Sequence, residues 1–135
     1  MALIARIVFA AALAAGTAAA QETTLEALEA RGARKLDGAA VRSLLVSRTI
    51  DVGTGTDAKS WETLANGTLA GGLDGKNRQR THSGVWRMDD DRYCVVMDWG
   101  QSTDQWCRSV WKAGEALYFV GQRKGEVVAI PFALR

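Results

Sequence analysis

The residues of this 135-residue chain best suited to chemistry crowd into "RYCVVMDWGQSTDQWCRSVW", residues 92 to 111. The stretch holds both cysteines, Cys94 and Cys107, and three of the five tryptophans, Trp99, Trp106 and Trp111. Two cysteines can form a disulfide, ligate a metal or exchange electrons as thiols. A zinc site would need two further ligands, and His82 is the sole histidine. A redox pair is more usually spaced C-x-x-C, which is absent here. A structural disulfide is the expected state, and chain entropy values its loop at roughly 3 kcal/mol.

Other constellations are thinner. His82 could act as a base with Asp74 or Asp98 to orient it, but no G-x-S-x-G supplies a nucleophile. Asp89, Asp90 and Asp91 could pair as acid and base, yet three adjacent acids between two strands read first as a solvated turn. Their spacing also lacks the alternating ligands of a calcium loop. Neither "GTGTDAKS" nor "GGLDGK" contains the G-K-[ST] of a phosphate loop. The expectation is therefore a non-enzymatic chain with no catalytic residues, no cofactor and no metal. Lys76, Arg78, Arg80 and His82 form the densest basic cluster. They read as a solvated segment or as a patch facing an acidic envelope polymer or a protein partner.

The ends set the compartment. In "MALIARIVFAAALAAGTAAA", Arg6 is the positive n-region, an apolar run follows, and Ala18, Ala19 and Ala20 offer a small-residue cleavage site. Residues 1–20 are expected to be a signal peptide, and the apolar run is short for a spanning helix. The location expected is periplasmic or secreted, with no integral membrane segment after cleavage. Of 17 basic residues one lies in this leader, leaving 16 against 15 acidic ones. Near-neutrality argues against a nucleic-acid surface.

These residues must be held by a small scaffold. Residues 21–35 read as a short helix or tether. Asp37 is a suitable N-cap for a helix that carries Val41, Leu44 and Leu45 on one face and ends near Ser47. From residue 49 the period changes to two, and Asn66-Gly67 marks a two-residue hairpin turn. Trp61 and Thr63 fall on one face of the strand before it. The fold class expected for 36–135 is mainly β (α+β). An N-terminal helix precedes a six- to seven-stranded antiparallel meander, bent or curled into a partial barrel. A full eight-stranded barrel would need more residues than follow the helix. Pro131 suits an edge or terminal strand.

Pairing Cys94 with Cys107 sets a register. Tyr93 then faces Arg108, Val95 faces Trp106, and "WGQS" makes the loop. One face carries Tyr93, Val95, Met97 and Trp99 against Trp106, Arg108 and Val110, and as the more apolar it should meet the core. Arg108 could stack on Tyr93. Trp99 at the tip is expected to be the exposed indole, with Trp111 on the cysteine face second. Trp99, Trp111, Arg108 and Tyr93 are thus the candidate ligand-binding residues.

"SGVWRMDDDRYCVVMDWGQSTDQWCRSVWKAGEALYFV" resembles the small secreted proteobacterial domains that carry G-x-W, then Y-C or L-C, then W-C-R or C-Y-R, then K-x-G. "LLVSRT" and "ANGTL" sit where that group has a helix-ending L-x-G-x-T and a D-G-T turn. Ser47 and Asn66 depart from it, replacing a glycine and an aspartate. The resemblance implies a fold and a periplasmic compartment and supplies no catalytic residues. Two functions are expected in order: binding of an envelope ligand, polymer or peptide, then protein interaction such as inhibition of a secreted or host enzyme. A hydrolase ranks last.

Overall fold

Two short helices begin at the polar residues that can cap them. The Thr24 side chain accepts the Ala27 N–H at the start of α1, Leu25–Ala30. Asp37 accepts the Ala40 N–H at 2.8 Å at the start of α2, Gly38–Leu45. The computed structural model describes residues 21–73 and 82–135. The expected leader and the basic residues Lys76, Arg78 and Arg80 lie outside these. Val41 and Leu45 of α2 are fully buried, as their spacing requires.

The strands are β1 (Arg34–Lys35), β2 (Thr49–Val52), β3 (Lys59–Thr63), β4 (Thr68–Leu73), β5 (His82–Asp89), β6 (Arg92–Asp98), β7 (Thr103–Ala113), β8 (Ala116–Arg123) and β9 (Glu126–Leu134). Their antiparallel order is β7-β6-β5-β4-β3-β2-β9-β8, and β8 pairs back onto β7. The sheet is therefore a closed eight-stranded barrel, with β1 as an extra strand beside β7. This corrects the expected partial barrel of six or seven strands. Connection length is the reason. Two residues suffice at 90–91, 114–115 and 124–125, and four at 64–67 and 99–102, which leaves enough chain for eight strands.

Asn66-Gly67 also turns differently from expectation. Gly67 N–H donates to Leu64 at 3.1 Å, which makes a wider turn over 64–67 with a left-handed φ of 89° at Gly67 alone. Asn66 instead accepts the Thr68 N–H through its side chain. Pro131 lies in the last strand, as expected, but inside a closed wall.

Side chains fill the barrel. Phe119 stacks on Phe132 at 4.0 Å and lies nearly parallel to Trp61 and Tyr93. The Tyr93 hydroxyl accepts the Trp61 indole N–H at 3.2 Å and shares a 2.7 Å bond with Thr63. An eight-stranded barrel is just wide enough for such filling. The void left beside Trp61, Leu69, Met97 and Trp106 is about 10 Å³. A smaller cluster lies outside the wall, where Leu28 of α1 packs on Tyr118, Val120 and Ala129.

Cys94 and Cys107 are bonded and directly opposite, in the expected register. Replacing both with alanine should cost about 3 kcal/mol and lower Tm by on the order of 10 °C. An unchanged Tm by calorimetry would remove the disulfide from the stability of the barrel.

Burial pushes the Tyr93 phenol above its ordinary value, against smaller lowering effects of its bonds to Thr63 and Trp61. The unfolded phenol ionises near pH 10 while the folded one holds its proton, so this contribution is intact below about pH 10 and is lost as pH rises further. Tyr93→Phe should lose about 1–2 kcal/mol at neutral pH, with Thr63 left unpaired, and should show a shallower alkaline decline. Urea midpoints from pH 7 to 11 measure both, and an equally steep decline in the variant would refute the assignment.

Candidate functional site: the loop end of the barrel

Antiparallel order places the 53–58, 99–102 and 124–125 connections at one end of the barrel and α2 at the other. Inward-facing positions near the loop end carry charge and aromatic rings together. Lys59 on β3 and Asp104 on β7 form a 2.9 Å ion pair. β3 and β7 are four strands apart in a ring of eight, so this pair spans the mouth from wall to wall.

Trp99 closes the same mouth. Its indole N–H donates to Asp104 at 2.8 Å, and Lys59 and His82 lie 5.2 and 5.4 Å from its ring. Trp99 is 9% exposed, which corrects the expectation of an exposed tip. Two features draw it inward. Asp104 satisfies the indole N–H, and Gly71 leaves room, since a Cβ there would stand 3.0 Å from the ring. An outward rotamer would forfeit both.

Arg108 sits beside this plug. Pairing between β7 and β8 ends at Ser109 and Val120, and the Arg108 stem lies on the backbone of Gly121 where the strands part. A Cβ at Gly121 would stand 2.7 Å from the Arg108 Cγ. The guanidinium rests over Trp106 at 4.1 Å, rather than on Tyr93 as expected. Its Nε is buried without a hydrogen-bond acceptor. Among the described residues Arg108 enters no ion pair. Burial lowers its pKa from the ordinary value, with Asp104 and Glu22 opposing and Arg123 adding to the fall. Arginine nonetheless stays a cation at working pH.

The remaining expected residues separate from this group. Tyr93 is 1% exposed at the barrel centre, so no ligand reaches it. Trp111 is half-buried against the outer cluster that α1 covers, donating to Ser109 at 2.9 Å. His82 is half-buried at the start of β5 against Trp99. Of the acidic triplet, Asp89 pairs with Arg92, and Asp91 accepts the Gly38 N–H at 2.8 Å, fastening the start of α2. Lys59, Asp104, Glu22 and Arg123 were not foreseen as members. Their inward parity near loop ends was the available signal for Lys59 and Asp104.

No family model, curated protein or solved structure matches the chain.

Asp104→Asn removes the charge shared by Lys59 and Trp99. Partly exposed groups make this a loss of about 1 kcal/mol. Tryptophan emission should shift to the red as Trp99 loosens, and an unmoved spectrum would show that Asp104 does not hold the plug.

Proposed function

We propose that this chain is an exported, non-enzymatic binding domain whose loop end holds an acidic polymer of the cell envelope. The observation that carries the reading is Arg108: a cation laid on Trp106, with a buried Nε that lacks an acceptor. Arg guanidinium groups recognise carboxylate, phosphate and sulfate by paired hydrogen bonds. Trp106, itself only half-buried, offers a ring beside that charge.

The geometry favours rim binding over a ligand inside the barrel, because the buried rings of Trp61, Tyr93, Phe119 and Phe132 occupy the interior. It also favours a binder over a hydrolase. Asp104, the acid at the mouth, is already committed to Lys59 and Trp99. The disulfide and the leader-like N-terminus support a periplasmic or secreted location. A place among the secreted proteobacterial domains gains support from Ser47, whose φ of 64° is the left-handed geometry that a glycine at this point in L-x-G-x-T would favour.

The test is titration of the protein with dextran sulfate, a polyuronate and neutral dextran, followed by tryptophan emission. At least one polyanion should bind, with affinity falling as salt rises, and Arg108→Met should abolish the response while keeping the fold. Binding that survives Arg108→Met, or no response to either polyanion, would overturn the proposal.

A further inference from the structure

Resting on the reading of the loop end as an anion site, the structure points to the class of anion. We propose that the site takes a carboxylate, and that Glu22 is its internal stand-in, displaced when an acidic ligand binds. Glu22 reaches Arg123 at the end of β8 with both oxygens, at 2.7 and 2.6 Å. This is the two-pronged fit of a planar carboxylate to a guanidinium. The Arg108 stem lies against Gly121, two positions before Arg123, and among the described residues Arg108 enters no ion pair.

The segment bearing Glu22 is attached in a way that allows release. β2 pairs with β9 at Phe132 and beyond, then leaves it before Pro131. Beyond Pro131, Thr23 borders β9, exchanging two backbone bonds with Ala129 at 3.0 and 2.9 Å. A hollow of about 500 Å³ lies alongside, lined by Gln21, Glu22, Thr54 and Pro131 among others. The Glu22–Arg123 pair itself is roughly half exposed on both sides. Water and salt screen such pairs, so a competing carboxylate has little to overcome.

An incoming uronate can then pair with Arg123 and Arg108 together, an arrangement Glu22 does not complete. Displaced, Glu22 would loosen the Thr23–Ala129 bridge. Ligand occupancy and attachment of the N-terminal strap become reciprocal by linkage.

The experiment compares oligogalacturonate with dextran sulfate on the wild type and on Glu22→Gln, with affinities from tryptophan emission. Amide exchange at Thr23 and Ala129 is followed in the wild type. Removing the internal competitor should tighten oligogalacturonate by up to about fivefold. Oligogalacturonate should bind ahead of dextran sulfate, and its binding should speed exchange at both amides. If the wild type binds oligogalacturonate but Glu22→Gln binds no tighter and exchange is unmoved, the stand-in is overturned while the anion site survives. Dextran sulfate binding ahead of oligogalacturonate overturns the carboxylate class alone. If neither polyanion binds the wild type, the loop-end reading falls and this inference falls with it.

Discussion

A barrel of eight strands encloses a space that side chains must fill, because an empty apolar interior forfeits packing on every wall at once. Trp61, Tyr93, Trp106, Phe119 and Phe132 meet that requirement here, and the rest of the structure follows from their size. The rings contact across the barrel rather than along one strand, and so tie β3, β6, β7, β8 and β9 to one another. Short strands such as β2 and β3 are sufficient under that condition. The Tyr93 hydroxyl at the centre is satisfied from two directions by Trp61 and Thr63, so none of these three buried polar groups is left unpaired.

The two ends of the barrel solve the same exposure problem by different means. At one end α2 lays Val41 and Leu45 on the core, and Asp91 and Asp37 satisfy the amides that start the helix. At the other end there is no α-helix among the described residues, only the single 3-10 turn Gly55–Asp57. Trp99 folds back over the opening, and the Lys59–Asp104 pair spans it. A helix seals with apolar area alone. A plug made of an indole, an amine and a carboxylate seals while leaving charge at the surface, and so the polar chemistry gathers there.

Much of this was legible in the chain, and the failures share a cause. The Cys94–Cys107 register, the loop at 99–102, the inward set of Tyr93, Val95 and Met97, and the Asp37 cap all follow from local periodicity and spacing. Closure did not, since the pairing that shuts the ring joins β2 to β9, the first and last strands of the meander, and is a property of the whole sheet. Trp99 was misplaced for the same reason: its acceptor lies five residues on, but the space for it is made by Gly71 on a strand far away in sequence. Glu22 and Arg123 are separated by 101 positions, and no local pattern joins them. The position of Arg108 was legible as an inward residue; its partner ring was not, because the parting of β7 from β8 shifts it toward Trp106.

Magnitudes sharpen what that inward arginine means. Contact with Trp106 is worth about 0.5–2 kcal/mol to a cation over an indole. A buried donor left without an acceptor costs about 1–3 kcal/mol, and the guanidinium also loses part of its hydration. The two effects cancel or leave a deficit. A methionine or leucine could cover Gly121 and Trp106 with comparable apolar area and neither cost. Barrel stability therefore gives no reason to place a guanidinium at position 108. On the proposed reading, an anion that completes the hydrogen bonds around Arg108 would remove that deficit.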